Sequence, residues 1–204
     1  MASNWDDLNA RGISAIVMVI VGAFDVYMGG IWFHFLVMFA TGVMIWELWS
    51  MIAPSRTTGA MLMAVATVAI LSVQIEEQNE ILPFLFLIIP AIGAVLLKKL
   101  RIAFFFYALA IIVAGFALVM FRDQFGALWI VWLLLVVIAS DVLGYFAGRT
   151  FGGPKFWPAI SPKKTWSGTV AGWIGAGIVG LVFALFTEAS MILVPLSMLL
   201  SFAG

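Results

Sequence analysis

Apolar runs of about twenty residues recur along this chain from Ile13 to the C-terminus, and run length is what most limits its fold. A helix crossing about 30 Å of hydrocarbon needs roughly 20 residues at 1.5 Å each. Helices are the expected element, because an open strand edge in lipid leaves its N–H and C=O groups unsatisfied. Of the 204 residues, 65% are apolar and 10% charged, whereas a soluble domain is about half apolar and a quarter charged. A single cleaved signal peptide does not account for apolar runs spread over the whole length. The absence of cysteine removes disulfides, thiolate nucleophiles and cysteine metal sites together.

Charges, Gly and Pro break the chain into eight candidate spans, about 12–30, 32–52, 59–75, 82–97, 102–121, 126–147, 169–187 and 190–203. The expectation is an all-α, polytopic integral membrane protein with about eight transmembrane helices and a cytoplasmic N-terminus. Residues 1–204 form a single transmembrane domain in this reading, with 148–168 as a cytoplasmic substrate-binding loop. Alternating sides place Arg11, Arg56, Lys98, Lys99, Arg101, Arg149, Lys155, Lys163 and Lys164 inside, and only Arg122 outside. Asp25, Glu76, Glu77, Glu80, Asp123 and Glu188 fall on the outer side. This is the bias that short cytoplasmic loops carry.

Topology alone therefore explains a basic loop, and Lys163 and Lys164 need a further argument before they mean more. Some other polar residues have plain explanations. His34, the lone histidine, lies in "GGIWFHFLVMF" without a carboxylate nearby in the sequence and reads as a packed or interfacial side chain. Glu47, between Trp46 and Trp49, reads either as a carboxylate reaching interfacial water or as part of a site. Segments such as "MLMAVATVAI" and "FFFYALAIIV" read as lipid-facing or packing surfaces.

The stretch 140–172, "SDVLGYFAGRTFGGPKFWPAISPKKTWSGTVAG", differs from every other connection. Asp141 falls late in an apolar helix, where an unpaired carboxylate costs about 2.5–3.5 kcal/mol on insertion scales. Arg149 follows eight residues later, about 80° beyond two full turns, which permits an ion pair without requiring one. Gly148, Gly152 and Gly153 let backbone approach a ligand. Lys155, Lys163 and Lys164 add three ammonium groups, Ser161 and Thr165 add hydroxyls, and Ser167-Gly168 opens the next helix with a capping residue. A helix N-terminus beside lysines suits phosphate, and Trp157 and Trp166 suit the headgroup level. Two readings stand level on these grounds: a phosphate-binding loop, or a basic, Trp-anchored loop that only touches anionic lipid.

The ordered string "SPKKTW" with Gly168, preceded by Asp141, Tyr145, Phe146, Gly148, Arg149 and Gly152, resembles the phosphatidate cytidylyltransferase (CDP-diacylglycerol synthase) family. Arg11 and the "WELW" around Glu47 are also similar to that family, so the resemblance covers most of the chain. It implies a bacterial inner-membrane enzyme of phospholipid biosynthesis, condensing CTP with phosphatidate to give CDP-diacylglycerol and pyrophosphate. It further implies Mg²⁺ as cofactor, with CTP, phosphatidate and the bilayer as partners and no nucleic acid; a homodimer is compatible with it. Under this resemblance Asp141 and Lys164 are the catalytic candidates, with Asp141 either binding metal or orienting Arg149. Arg149, Ser161, Lys163, Lys164, Thr165, Trp166 and Gly168 are the substrate-binding candidates. Two departures stand out. Ser167 occupies a position where many relatives have Glu, and the chain stops at "LLSFAG", about where the family's acidic C-terminal signature begins. The expectation is therefore a C-terminally truncated form, with activity of these 204 residues alone in question.

Two other classes compete. A transporter would use Glu47 and Asp141 as an ion path, but no paired inverted repeats or matching broken helices are visible. A non-catalytic lipid-binding or scaffolding protein would bind every anionic lipid alike and ignore CTP.

Overall fold

A computed structural model describes residues 4–77, 82–159 and 161–203. Glu80, and the side chains of Arg11, Glu76 and Glu77, lie outside the described residues, so their assignment to a side of the membrane rests on sequence alone. Eight α-helices appear among the described residues: α1 (Asn4–Met28), α2 (Gly30–Ile52), α3 (Thr57–Glu77), α4 (Ile88–Leu96), α5 (Arg101–Phe125), α6 (Ala127–Phe151), α7 (Trp166–Thr187) and α8 (Leu193–Ala203). The all-α expectation therefore holds, with one addition. Between α6 and α7 a short hairpin, β1 (Lys155–Trp157) and β2 (Ser161–Thr165), replaces what reads in the sequence as loop.

Five helices, α2, α3, α5, α6 and α7, are long and apolar enough to cross a bilayer. The other three expected spans coincide with shorter apolar helices, Ile16–Met28, Phe84–Leu96 and Leu193–Phe202. Asp25 lies within the first, which is the described part of the 25-residue α1, the second opens as a 3₁₀ segment at Leu82–Leu87, and α8 has 11 residues.

The chain divides into two compact units, Met1–Ala127 and Leu128–Gly204. The first is built around Ile45, Leu48 and Trp49 of α2, which pack with Leu71, Ile89, Phe104 and Ile112. Trp49 and Phe104 meet edge to face at 5.7 Å, an arrangement favoured by the ring quadrupoles. Small residues make that contact available. A Cβ at Gly93 would fall on the Phe104 ring, and one at Gly59 would lie 3.0 Å from the Trp49 ring.

Arg122, the basic residue that breaks the charge bias, has a local explanation in this unit. Its Nε and Nη2 both donate to the Val26 carbonyl, at 3.1 and 3.0 Å, near the end of α1. The last carbonyls of a helix have no intrahelical partner, and a cation there also meets the negative end of the dipole. Gly29 turns the chain at φ 63°, where a Cβ would overlap the Arg122 guanidinium. The expectation for His34 changes: its Nε2 lies 2.7 Å from Asp123 Oδ2, a carboxylate 89 residues away.

The second unit packs α7 on α8 through glycine. A Cβ at Gly180 would lie 2.5 Å from Ser197 Oγ and 2.7 Å from the Leu193 carbonyl. The buried Ser197 accepts from Trp132 Nε1 at 3.2 Å and donates to the Leu193 carbonyl at 2.7 Å. Trp129, Trp132 and Phe183 form an aromatic cluster between α6 and α7.

Gly93→Ala forces a methyl into the Phe104 ring and is expected to cost about 1–3 kcal/mol. Thermal unfolding in detergent should show a lower midpoint, partly restored by adding Phe104→Leu, because residues in contact do not contribute additively.

Candidate functional site

The site begins with backbone contact between α6 and α7. Gly144 and Gly148 lie four residues apart on α6, as do Gly168 and Gly172 on α7, so each pair lines one helix face. A Cβ at Gly168 would lie 2.6 Å from the Gly144 carbonyl oxygen, and one at Gly172 would lie 3.1 Å from that of Ser140. Small-residue pairs of this spacing let membrane helices approach backbone to backbone. The late part of α6, with Asp141 and Arg149, is thereby held against the start of α7.

The hairpin is fastened to the same place. Lys155 pairs with Thr165 and Trp157 with Ser161, with an irregularity between the pairs. The Trp166 backbone N–H donates to the Pro154 carbonyl at 3.1 Å. Ser167 Oγ donates to the Gly152 carbonyl at 2.5 Å and lies 3.1 Å from Thr165 Oγ1. Thr165, not Ser167, is the N-cap of α7: its side chain accepts from the Gly168 N–H at 3.3 Å. Both residues are good caps. The choice falls to Thr165 because its backbone is extended, at φ −110°, as a cap requires, while Ser167 is already helical. The expected loop 148–168 is thus largely ordered: residues 148–151 belong to α6, and 155–157 and 161–165 are strand.

A cavity of about 530 Å³ opens between these elements. Six of the eight expected site residues line it: Asp141, Arg149, Lys163, Lys164, Thr165 and Gly168. Ser161 and Trp166 do not. Ser161 is held in the hairpin opposite Trp157, and the Trp166 ring turns onto Phe156, edge to face at 4.7 Å. Arg149 Nη1 donates to the Tyr145 hydroxyl at 2.8 Å, and no ion pair joins it to Asp141. In the structure the Arg149 guanidinium is thus partnered by Tyr145.

The remaining lining was not singled out as site residues in the sequence. Ser140 and Phe156 contribute, as do Thr169 and Trp173 of α7 and Ser201 and Phe202 of α8. Trp173 and Phe202 are in ring contact at 5.6 Å. An aromatic residue inside an apolar helix reads as packing, so the sequence carries no signal that separates these from ordinary core. The result is a cavity with cations and one carboxylate among its polar groups, and aromatic rings in its wall. No group of three or more His, Asp or Glu side chains able to hold a metal occurs among the described residues.

Helices of this length and polarity, with a basic, glycine-walled cavity, define an integral membrane protein suited to taking an anionic ligand. The sequence pattern of the cytidylyltransferase family matches residues 9–204, and the chain belongs to that family. It is 29% identical over 189 residues to the phosphatidate cytidylyltransferase of Brucella abortus (strain 2308), which covers 90% of this chain and 70% of that protein. Shorter similarities reach the phosphatidate cytidylyltransferases of Chlamydia pneumoniae and Helicobacter pylori. The first is 36% identical over 87 residues, covering 39% of this chain and 28% of the relative. The second is 44% identical over 68 residues, covering 33% and 25%. No solved structure matches the chain.

Thr165→Val removes the α7 cap and should lower stability by about 1 kcal/mol. Gly168→Ala, which sets a methyl against backbone, should cost more, about 1–3 kcal/mol. Unfolding midpoints of the two variants in detergent check that order.

Proposed function

We propose that this protein condenses CTP with phosphatidate, giving CDP-diacylglycerol and pyrophosphate, in a bacterial inner membrane with the hairpin on the cytoplasmic side. The observation that carries the reading is the gathering of Arg149, Lys163, Lys164 and Asp141 around one cavity of a family member. CTP is a cytosolic solute, and phosphatidate reaches the same place laterally through the inner leaflet. The charge bias of the inner segments supports that sidedness.

A phosphate oxygen of phosphatidate attacks the α-phosphorus of CTP. A new P–O bond forms as the bond from the α-phosphorus to the bridging oxygen breaks, and pyrophosphate leaves with that electron pair. Such transfers depend on positioning and on neutralising charge. Lys163, Lys164 and Arg149 hold phosphates in this reading, and Tyr145 fixes the direction of the Arg149 guanidinium. Lys164 is placed against the reacting phosphates, while Thr165 and Gly168 define the wall beside them.

Mg²⁺ usually takes one or two carboxylates plus substrate phosphates and water rather than an all-protein cage. Asp141, the one carboxylate lining the cavity, fits an ion that enters with the nucleotide. When bound, Mg²⁺ would supply Lewis-acid stabilisation of the phosphoryl oxygens. Asp141 would hold it, and the cationic side chains do the rest of the positioning.

Membranes containing the protein, given radiolabelled CTP and phosphatidate, should form lipid-soluble label that depends on both substrates and is lost with EDTA. Lys164→Ala should lower the rate by about 10²–10³-fold, the scale of losing one charge-stabilising donor. Labelled CTP that neither binds nor enters lipid would overturn the proposal. Ion-driven flux in proteoliposomes that ignores CTP would favour a transporter instead.

A further inference from the structure

One donor in the cavity wall has no partner within the protein. Trp173 Nε1 is buried without a hydrogen bond, and Trp173 lines the cavity. The hydroxyls of Ser140, Thr169 and Ser201 also line the cavity, and none of them accepts from this indole. Ser140 Oγ donates to the Val137 carbonyl at 2.8 Å, and Thr169 Oγ1 donates to the Thr165 carbonyl at 3.1 Å. A buried N–H left unpaired is costly, so its persistence at a cavity wall points to a ligand atom. The indole N–H only donates, so that atom must be an acceptor.

Position narrows the chemistry. Trp173 lies seven residues beyond Trp166, about 10 Å further along the helix axis from the lysine-bearing hairpin. Phe202 of α8 is in ring contact with it, Ser201 beside Phe202 also lines the cavity, and the cations of the lining, Arg149, Lys163 and Lys164, sit on α6 and the hairpin. The ligand thus needs an anionic end at Arg149, Lys163 and Lys164, and a neutral acceptor several ångströms deeper, among apolar side chains. A nucleobase, polar along its whole edge, suits a region walled by Trp173 and Phe202 less well than a single acceptor carried on an apolar chain. A diacyl phospholipid meets the requirement with one of its ester carbonyls.

We propose that Trp173 Nε1 donates to an acyl-ester carbonyl of the phosphatidate, making Trp173 a specificity-determining residue for diacyl over dialkyl-ether lipid. This rests on the reading of the cavity as a phosphatidate site. The test measures binding of dioleoyl phosphatidate and its 1,2-dialkyl ether analogue to the purified protein in mixed micelles. The wild type should bind the diester about tenfold more tightly, the scale of leaving one buried donor unpaired. Trp173→Phe keeps a ring against Phe202 and removes only the donor, so its two affinities should agree within about twofold. Equal binding of both lipids by the wild type overturns the inference. A preference that survives in Trp173→Phe, or an equal loss of both lipids in that variant, overturns it as well. Those results leave the phosphatidate site standing, whereas failure of both lipids to bind the wild type would remove that site and the inference with it.

Discussion

The approach of α6 to α7 through Gly144, Gly148, Gly168 and Gly172 is the contact on which the site depends. Side chains of ordinary size at these positions would push the helix backbones apart, and the residues now facing one cavity would separate. In a bilayer the hydrophobic effect does not drive helices together, because lipid is as apolar as the helix surface. Close van der Waals contact between bare backbones has to supply the association. The four glycines that hold the helices together also line the cavity. Gly168 does both, touching α6 while lining the cavity.

Charge is handled by a second rule, visible among the described residues in the partners given to His34, Arg122 and Arg149. Arg122 closes the end of α1 through the Val26 carbonyl, and Asp123 beside it holds His34. Arg149 is aimed by Tyr145 one helical turn earlier. Fixing a guanidinium in advance reduces the ordering needed when an anion arrives. Tyr145 is polar enough to direct the cation without neutralising it, which a carboxylate at that distance would do.

Much of this was legible in the sequence because apolar run length reports the solvent directly. All eight expected spans coincide with helical segments, and five helices among the described residues have the length and polarity to cross a bilayer. The basic constellation was legible as a group, although topology alone accounted for a basic loop and only the family resemblance gave the lysines a specific role. Contacts between distant residues were not. His34 and Asp123 are 89 positions apart, and no local pattern joins them. The cap went to Thr165 over Ser167 because the hairpin keeps Thr165 extended, and a hairpin containing Pro162 and two lysines has no alternating pattern to announce it. Trp173 was hidden for another reason: a tryptophan in an apolar helix looks the same whether or not its N–H has a partner.

Thr165 ends the second strand and begins α7 at once, so the lysine pair is tethered at very short range. Lys164 and Lys163 are one and two residues from a threonine that is 7% exposed. Their Cα atoms thus stay within about 4 and 7 Å of a fixed point. The backbone has little room to sweep, and the ammonium groups explore space mainly through their own side-chain rotations. Under the proposed function, the lysines would follow a departing phosphate for a few ångströms and no further.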